Sequence, residues 1–312
     1  MAPLRLAAGI GALAAGAAAV VVAVLLFEHT PGPVSSAAAP SPVAPAAAAP
    51  APAPAVPGFP GPPAGGVVFA REDGPDALAL AVVPRGATMH VQASVVGQQA
   101  NGVRGLAVRF GATAASPCGP GCYEAVVPGA RSVDLRVRGG AATTRWSVVL
   151  PSPWPPPGAA ALVARAARVW RSLRSLVFSD RLASDPTHAV VSTWRAVAPD
   201  RLAYRVNGGY DAVIIGGRRW DRAPGGRWIE SAQTARLRQP VPVWQSATDA
   251  HVVADTGRAW RISFYDPRTP AWFEITVEKR TFHTLDLHMT TTAHFMHETY
   301  GSFDAAPAIT SP

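Results

Sequence analysis

Lysine is nearly missing from this chain: Lys279 is the only one, so almost all of the 28 basic side chains are arginine. Charged residues of either sign make up 15% of the sequence, against about 25% in an average soluble protein. The formal charge of +8 invites a nucleic-acid reading, but the arginines are scattered. No basic run and no nucleic-acid-binding motif accompanies the charge. Nucleic acid is therefore not an expected partner, and the arginine bias reads as compositional. A GxSxG elbow, an HExxH helix, a Walker loop and a paired-carboxylate motif are all absent as well. Asp211, Asp221, Glu230, Asp266 and Glu274 lie among arginines and read as surface ions. The expectation is a protein that is not an enzyme and needs no cofactor. Cysteine is confined to Cys118 and Cys122, so no thiol lies near the N-terminus for acylation of the bacterial lipoprotein type.

Proline and glycine are abundant instead, at 32 and 28 residues. Arg5 is followed by 22 uncharged residues, from Leu6 to Phe27, before Glu28. As a helix this run spans roughly 33 Å, enough to cross a bilayer. A cleaved signal peptide has an apolar region of about 7–15 residues, so length favours an uncut signal-anchor over cleavage after Ala37-Ala38-Ala39. Arg5 on the left flank keeps that side cytoplasmic and exports the rest. The expected location is the cell membrane, single-pass, with the C-terminal part extracytoplasmic. Residues 1–30 thus read as the anchor. Residues 31–65, nearly all Ala, Pro, Ser, Val and Gly, read as an extended tether.

Residues 66–150 carry short strand-like segments at 67–70, 77–83, 89–96, 105–110, 123–127, 132–137 and 144–150. Gly, Pro and Asn punctuate them every 8–12 residues or so, the pattern of an Ig-like β-sandwich. The pair in Cys118-Gly119-Pro120-Gly121-Cys122 has two readings, a disulfide that stiffens a turn or a thiolate pair for Cu(I). With no His or Met nearby, and outside the cytoplasm, the disulfide is favoured.

Residues 151–312 open on the break Pro151-Ser152-Pro153-Trp154-Pro155-Pro156-Pro157. Leu162, Ala166, Val169, Leu173 and Leu176 then recur at helical spacing, predicting an amphipathic helix over about 159–176. Arg165, Arg168, Arg171 and Arg174 fall elsewhere on its wheel. Strands follow at about 188–197, 201–206, 211–216, 218–222 and 226–232, then a short helical or irregular patch over about 234–250. Strands resume at 259–265, 271–278, 281–290 and 292–299. The fold class is mainly β (α+β): a meandering antiparallel half-barrel covered by one helix, holding either a side-chain core or a greasy cavity.

Two resemblances attach to particular residues. The order of elements over about 157–312, with the closing Thr299-Tyr300-Gly301-Ser302-Phe303 and Pro307-Ala308-Ile309, resembles the bacterial lipoprotein-carrier superfamily of LolA, LppX and LprG. That resemblance implies a hollow half-barrel and no particular cargo. The runs CGPGCY at 118–123, APDRLAY at 198–204, RRWDRAPGGRW at 218–228, DPRTPAWF at 266–273 and AHFMHETY at 293–300 resemble the extracytoplasmic tail of actinobacterial copper-resistance (CopD-like) proteins. Their multi-helix transport domain is missing here, so the resemblance implies at most an accessory role beside a CopD-like membrane protein.

The leading functional expectation is a membrane-anchored carrier of a hydrophobic or lipid-like ligand. Its expected lining is Trp194, Leu202, Tyr204, Val213, Ile215, Phe273, Ile275, Leu285, Leu287, Met289 and Phe295. The alternatives are a copper-handling module using His288, His294 and Met296, and a non-catalytic envelope scaffold. Alternation along 285–296 puts Leu285, Leu287, Met289 and Phe295 on one face and His288, His294 and Met296 on the other. It also sets His297 with the apolar residues.

Overall fold

The computed structural model describes residues 59–233 and 237–312. The expected anchor and most of the tether lie outside these residues. Among the described residues no helix is long and apolar enough to cross a membrane.

The chain is built mainly from antiparallel strands. Nine come first: β1 (Val67–Asp73), β2 (Asp76–Arg85), β3 (Thr88–Val96), β4 (Ala107–Phe110), β5 (Thr113–Ala114), β6 (Ser116–Gly119), β7 (Cys122–Pro128), β8 (Ser132–Gly139) and β9 (Ala142–Val149). They form a five-stranded sheet, β1-β2-β3-β7-β6, and a four-stranded sheet, β5-β4-β8-β9. The two share one core, in which Leu78, Leu80, Val82 and Val91 of the first meet Val108, Phe110, Val133 and Leu135 of the second. Cys118 and Cys122 are joined by a disulfide across the β6–β7 hairpin. The sequence reading misses β5 and β6, which at two and four residues are too short to show alternation.

The second region opens with α1 (Ala160–Ser172), followed by β10 (Ser175–Asp185), β11 (His188–Val197), β12 (Arg201–Val206), β13 (Tyr210–Ile215), β14 (Arg218–Arg222) and β15 (Ile229–Ala232). After an irregular stretch come β16 (Thr248–Asp255), β17 (Ala259–Asp266), β18 (Ala271–Glu278), β19 (Thr284–Thr291) and β20 (His294–Gly301). All eleven strands join one sheet, in which β10 pairs with β20 so that the first and last strands lie at its centre. Laid flat, such a sheet would be roughly 48 Å wide at about 4.8 Å per strand. Yet Leu202 and Ile214 from one wing and Val252 and Ile262 from the other belong to one cluster with α1. The sheet therefore curls around the helix.

Two strands contradict the sequence reading. The expected helix over 159–176 ends at Leu173, whose backbone is already extended (ψ 137°), and Leu176 belongs to β10. Apolar spacing alone cannot separate a helix end from the strand that follows it. The buried stripe of α1 is Val163, Ala166, Ala167 and Trp170, with Ala159 and Leu173 at its ends. Val169 sits beside that stripe, only half-buried. Arg165, Arg168, Arg171 and Arg174 are exposed. Strand β16 is the second, since the sequence reading has a helical or irregular patch over 234–250 and resumes strands only at 259.

The sequence of β2 shows how the two regions meet. In Ala77-Leu78-Ala79-Leu80-Ala81-Val82 the large residues point into the sandwich core. The alanines point outward, against Ala183, Trp272 and Phe295 of the large sheet. Small side chains on that face let the two sheets approach closely. Residues 59–65, expected to be tether, are packed here: Phe59 lies 5.1 Å from the Trp272 ring. Pro60 O and Gly61 O accept hydrogen bonds from Ser94 Oγ and Gln92 Nε2, both at 2.8 Å.

Candidate functional site

The inner face of the curled sheet, beneath α1, is filled by aromatic rings. Tyr210, Tyr204, Trp194, Phe178, Tyr300, Trp170, Trp244, Phe264 and Phe273 each lie within about 6.3 Å of the next. Trp170, carried by α1, stands edge-on to Tyr300 at 4.6 Å and to Trp244 at 5.6 Å. It is the only large side chain among the buried residues of the helix proper. The choice between cavity and core resolves, in this structure, to a core.

One polar group interrupts that core. Asp180 on β10 and Glu298 on β20 are register partners, and both point inward between an aromatic pair, Phe178 with Tyr300, and an aliphatic pair, Leu182 with Met296. Their residues are only 4% and 3% exposed. Burial pushes the Asp180 carboxyl up to about 7, against the opposing hydrogen bond from Ser192. Burial and the nearby Asp180 push Glu298 up to about 8. Tyr300 Oη donates to Glu298, and Trp194 Nε1 donates to Ser192 Oγ at 2.7 Å. Asp180 Oδ1 and Trp170 Nε1 have no hydrogen-bond partner. Leaving such buried groups unpaired costs about 1–3 kcal/mol each.

Of the residues expected to line a ligand site, Trp194, Leu202, Tyr204, Phe273, Ile275, Leu287 and Met289 point into this interior. Val213 and Ile215 do not: they lie on the outer face with Ala203, Trp220 and Ile309. Pairing of Leu202 with Ile214 and of Tyr204 with Ala212 turns the even-numbered residues of β13 inward. Phe295 also faces outward, against the sandwich. Leu285 occupies a bulge: Thr276 pairs with Asp286 and Val277 with Thr284, leaving Leu285 without a partner on β18. The sequence reading misses Trp170 and Tyr300 as interior rings, and misses the carboxyl pair altogether.

A two-residue turn explains the misplaced histidines. Thr292 and Ala293 (φ 53°) connect β19 to β20, and Thr291 pairs with His294. Side-chain parity therefore reverses across the hairpin. Met296, not His297, joins Met289 inside, and His297 comes opposite His288 on the outer face. The expected set of His288, His294 and Met296 is thus divided between the two faces. On the outer face the His288 and His297 rings stack 4.0 Å apart at 12°. Asp286 meets both, with Oδ2 2.7 Å from His297 Nε2 and Oδ1 3.2 Å from His288 Nε2. The hydrogen bond to Asp286 is the main cause that raises His288 above its ordinary value. Burial would raise Asp286, but hydrogen bonds from both histidines outweigh it and hold the carboxyl below its ordinary range.

These histidines border a cleft of about 330 Å3 where the sandwich meets the large sheet. Arg71, Glu72 and Trp146 line one wall; Arg181, Glu274, His288 and His297 line the other. Arg71 lies over the Trp146 ring at 5.4 Å. Arg71 Nε and Glu72 Oε1 lack partners. No protein-family model matches the chain, and no curated protein matches it either.

Proposed function

We propose that this chain is a non-catalytic binding protein of the cell envelope, whose curled sheet and α1 together hold one amphiphilic ligand. The observation that carries the reading is the polar spot stranded among aromatic rings. A carboxyl pair, with Asp180 Oδ1 and Trp170 Nε1 unpartnered, is costly in a folding core. Such a spot is what a ligand site uses to orient a head group within apolar walls. The ligand class is an acyl chain or comparable apolar body bearing a hydrogen-bonding head.

Entry requires displacement of the aromatic plug, and α1 is the element best suited to yield. Its helical stretch buries Val163, two alanines and Trp170, so the apolar area that holds it down is small. Its ends are tied into the sheet, through Ala159 N to Ala250 O at 2.7 Å and through the direct run into β10. Lifting would therefore take the form of a local bow with Trp170 as the moving ring. This reading accords with the resemblance of this half to the lipoprotein-carrier superfamily and of the first nine strands to an Ig-like sandwich. On the same reading the N-terminal apolar run anchors the chain. The sandwich then serves as the docking side toward a membrane partner of the CopD-like kind.

The test is photolabelling of the full chain in membranes with a diazirine-bearing palmitic acid, followed by peptide mapping. Labelling of the peptides that carry Trp170, Phe178 and Tyr300, lowered by excess unlabelled palmitate, supports the reading. Labelling confined to the apolar run at 6–27 removes it.

A further inference from the structure

The histidine pair lies on the opposite side of the sheet from the interior, so a site there is independent of the proposed amphiphilic ligand. Asp286, His288 and His297 each offer one donor atom, and those atoms all lie within 4.8 Å of one another. Two imidazole nitrogens and one carboxylate oxygen form the donor set of many three-ligand sites for first-row divalent ions. Ligand atoms about 2.0–2.1 Å from zinc sit roughly 3.3 Å apart in a tetrahedron. Asp286 meets the two rings through different oxygens, Oδ2 2.7 Å from His297 Nε2 and Oδ1 3.2 Å from His288 Nε2, so a bound ion would draw the three donors, now within 4.8 Å, closer together.

We propose that Asp286, His288 and His297 form a binding site for a divalent first-row transition-metal ion of the Zn(II) and Cu(II) class. Strand geometry preorganises the site. Asp286 and His288 are two residues apart on β19, so both leave the same face. His297 is the direct cross-strand partner of His288. The metal would replace the protons now shared between the two Nε2 atoms and the carboxylate, leaving its remaining positions open toward the cleft.

The donor chemistry also sets what the site refuses. Imidazole disfavours Ca(II) and Mg(II), which take oxygen ligands. Cu(I) prefers thiolate or thioether, and here both cysteines are tied in a disulfide while Met289 and Met296 point to the other face. Neighbouring charge is mixed. Glu274 lies opposite His288 on β18, and Arg181 lies opposite His297 on β10. Arg261, 3.5 Å from Glu274, partly neutralises that carboxylate. Arg181 therefore limits affinity, and its removal should raise it.

The experiment titrates the full, untagged chain with Zn(II) by calorimetry and with Cu(II) by electron paramagnetic resonance. One ion per chain is expected, with nitrogen hyperfine coupling in the Cu(II) spectrum. His288→Ala, His297→Ala and Asp286→Asn should each weaken binding about tenfold or more, since even an outer-sphere partner is worth 10–100-fold. His294→Ala should leave it unchanged, and Arg181→Ala should strengthen it. Because the Cu(II) spectrum of the unaltered chain is itself a readout, the test does not depend on the variants folding. A spectrum without nitrogen coupling, equal binding by a His288→Ala/His297→Ala chain, or no uptake of either ion at micromolar concentrations overturns the proposal.

Discussion

Asp180 and Glu298 stand directly opposite each other between β10 and β20, with both carboxyls turned into the aromatic interior. The relationship predicts an unusual pH dependence. Asp180 titrates near 4 when unfolded and at about 7 when folded, so between those values the native state holds a proton that the unfolded chain has released. Stability is then highest below the unfolded value and falls as pH rises through the window, and Glu298, raised to about 8, extends the fall to that pH. Thermal melts at pH 5 and pH 8 should differ by several degrees, with the lower pH more stable. An Asp180→Asn/Glu298→Gln chain should lose most of that difference.

Trp170 bridges helix and sheet through edge-on contacts to Trp244 and Tyr300. Trp170→Ala should cost about 3–5 kcal/mol, read as a lower urea midpoint. Arg168→Ala, on the exposed side of the same helix, should stay within about 0.5 kcal/mol of the parent.

The β6–β7 hairpin depends on a covalent link and on a glycine. Replacing Cys118 and Cys122 by serine opens a five-residue loop and should cost about 2 kcal/mol in loop-closure entropy. Gly121→Ala should cost more. Its φ is +65°, and a Cβ there would fall 2.3 Å from Val95 O and 2.5 Å from the Gly102 backbone. The same unfolding measurement ranks the two changes.

Trp272 is the largest buried side chain of the cluster between the two regions, packed between Phe59, Tyr265 and the alanines of β2. Trp272→Ala should loosen the sandwich from the large sheet without opening either main core. Calorimetry should then resolve two transitions where the parent chain gives one overlapping event.

Much of the strand content is legible because alternation is a property of neighbouring residues. In Ser132–Gly139, Val133, Leu135 and Val137 are buried and the residues between them are not, as the pattern predicts. Strand β10 is not legible. Leu176 continues the apolar spacing of α1, and the charged Asp180, Arg181 and Asp185 interrupt any apolar run within the strand. Strand β16 pairs with β17 through two register shifts, so its alternation is broken by irregularity.

The candidate site is half legible for a related reason. Seven of the eleven expected lining residues face the interior, because runs within single strands keep their parity. Phe295 and the histidines are misplaced when parity is carried across Thr292-Ala293, where the pairing of Thr291 with His294 reverses it. The sequence alone determined a β-rich chain with a close cysteine pair, an aromatic-laden second half and no catalytic signature. Only the tertiary structure decided which face each side chain takes, that Asp180 meets Glu298, and that His288 meets His297. Alternation is written locally, within one strand. The choice of partner strand is a long-range outcome of burying two faces of a curled sheet at once.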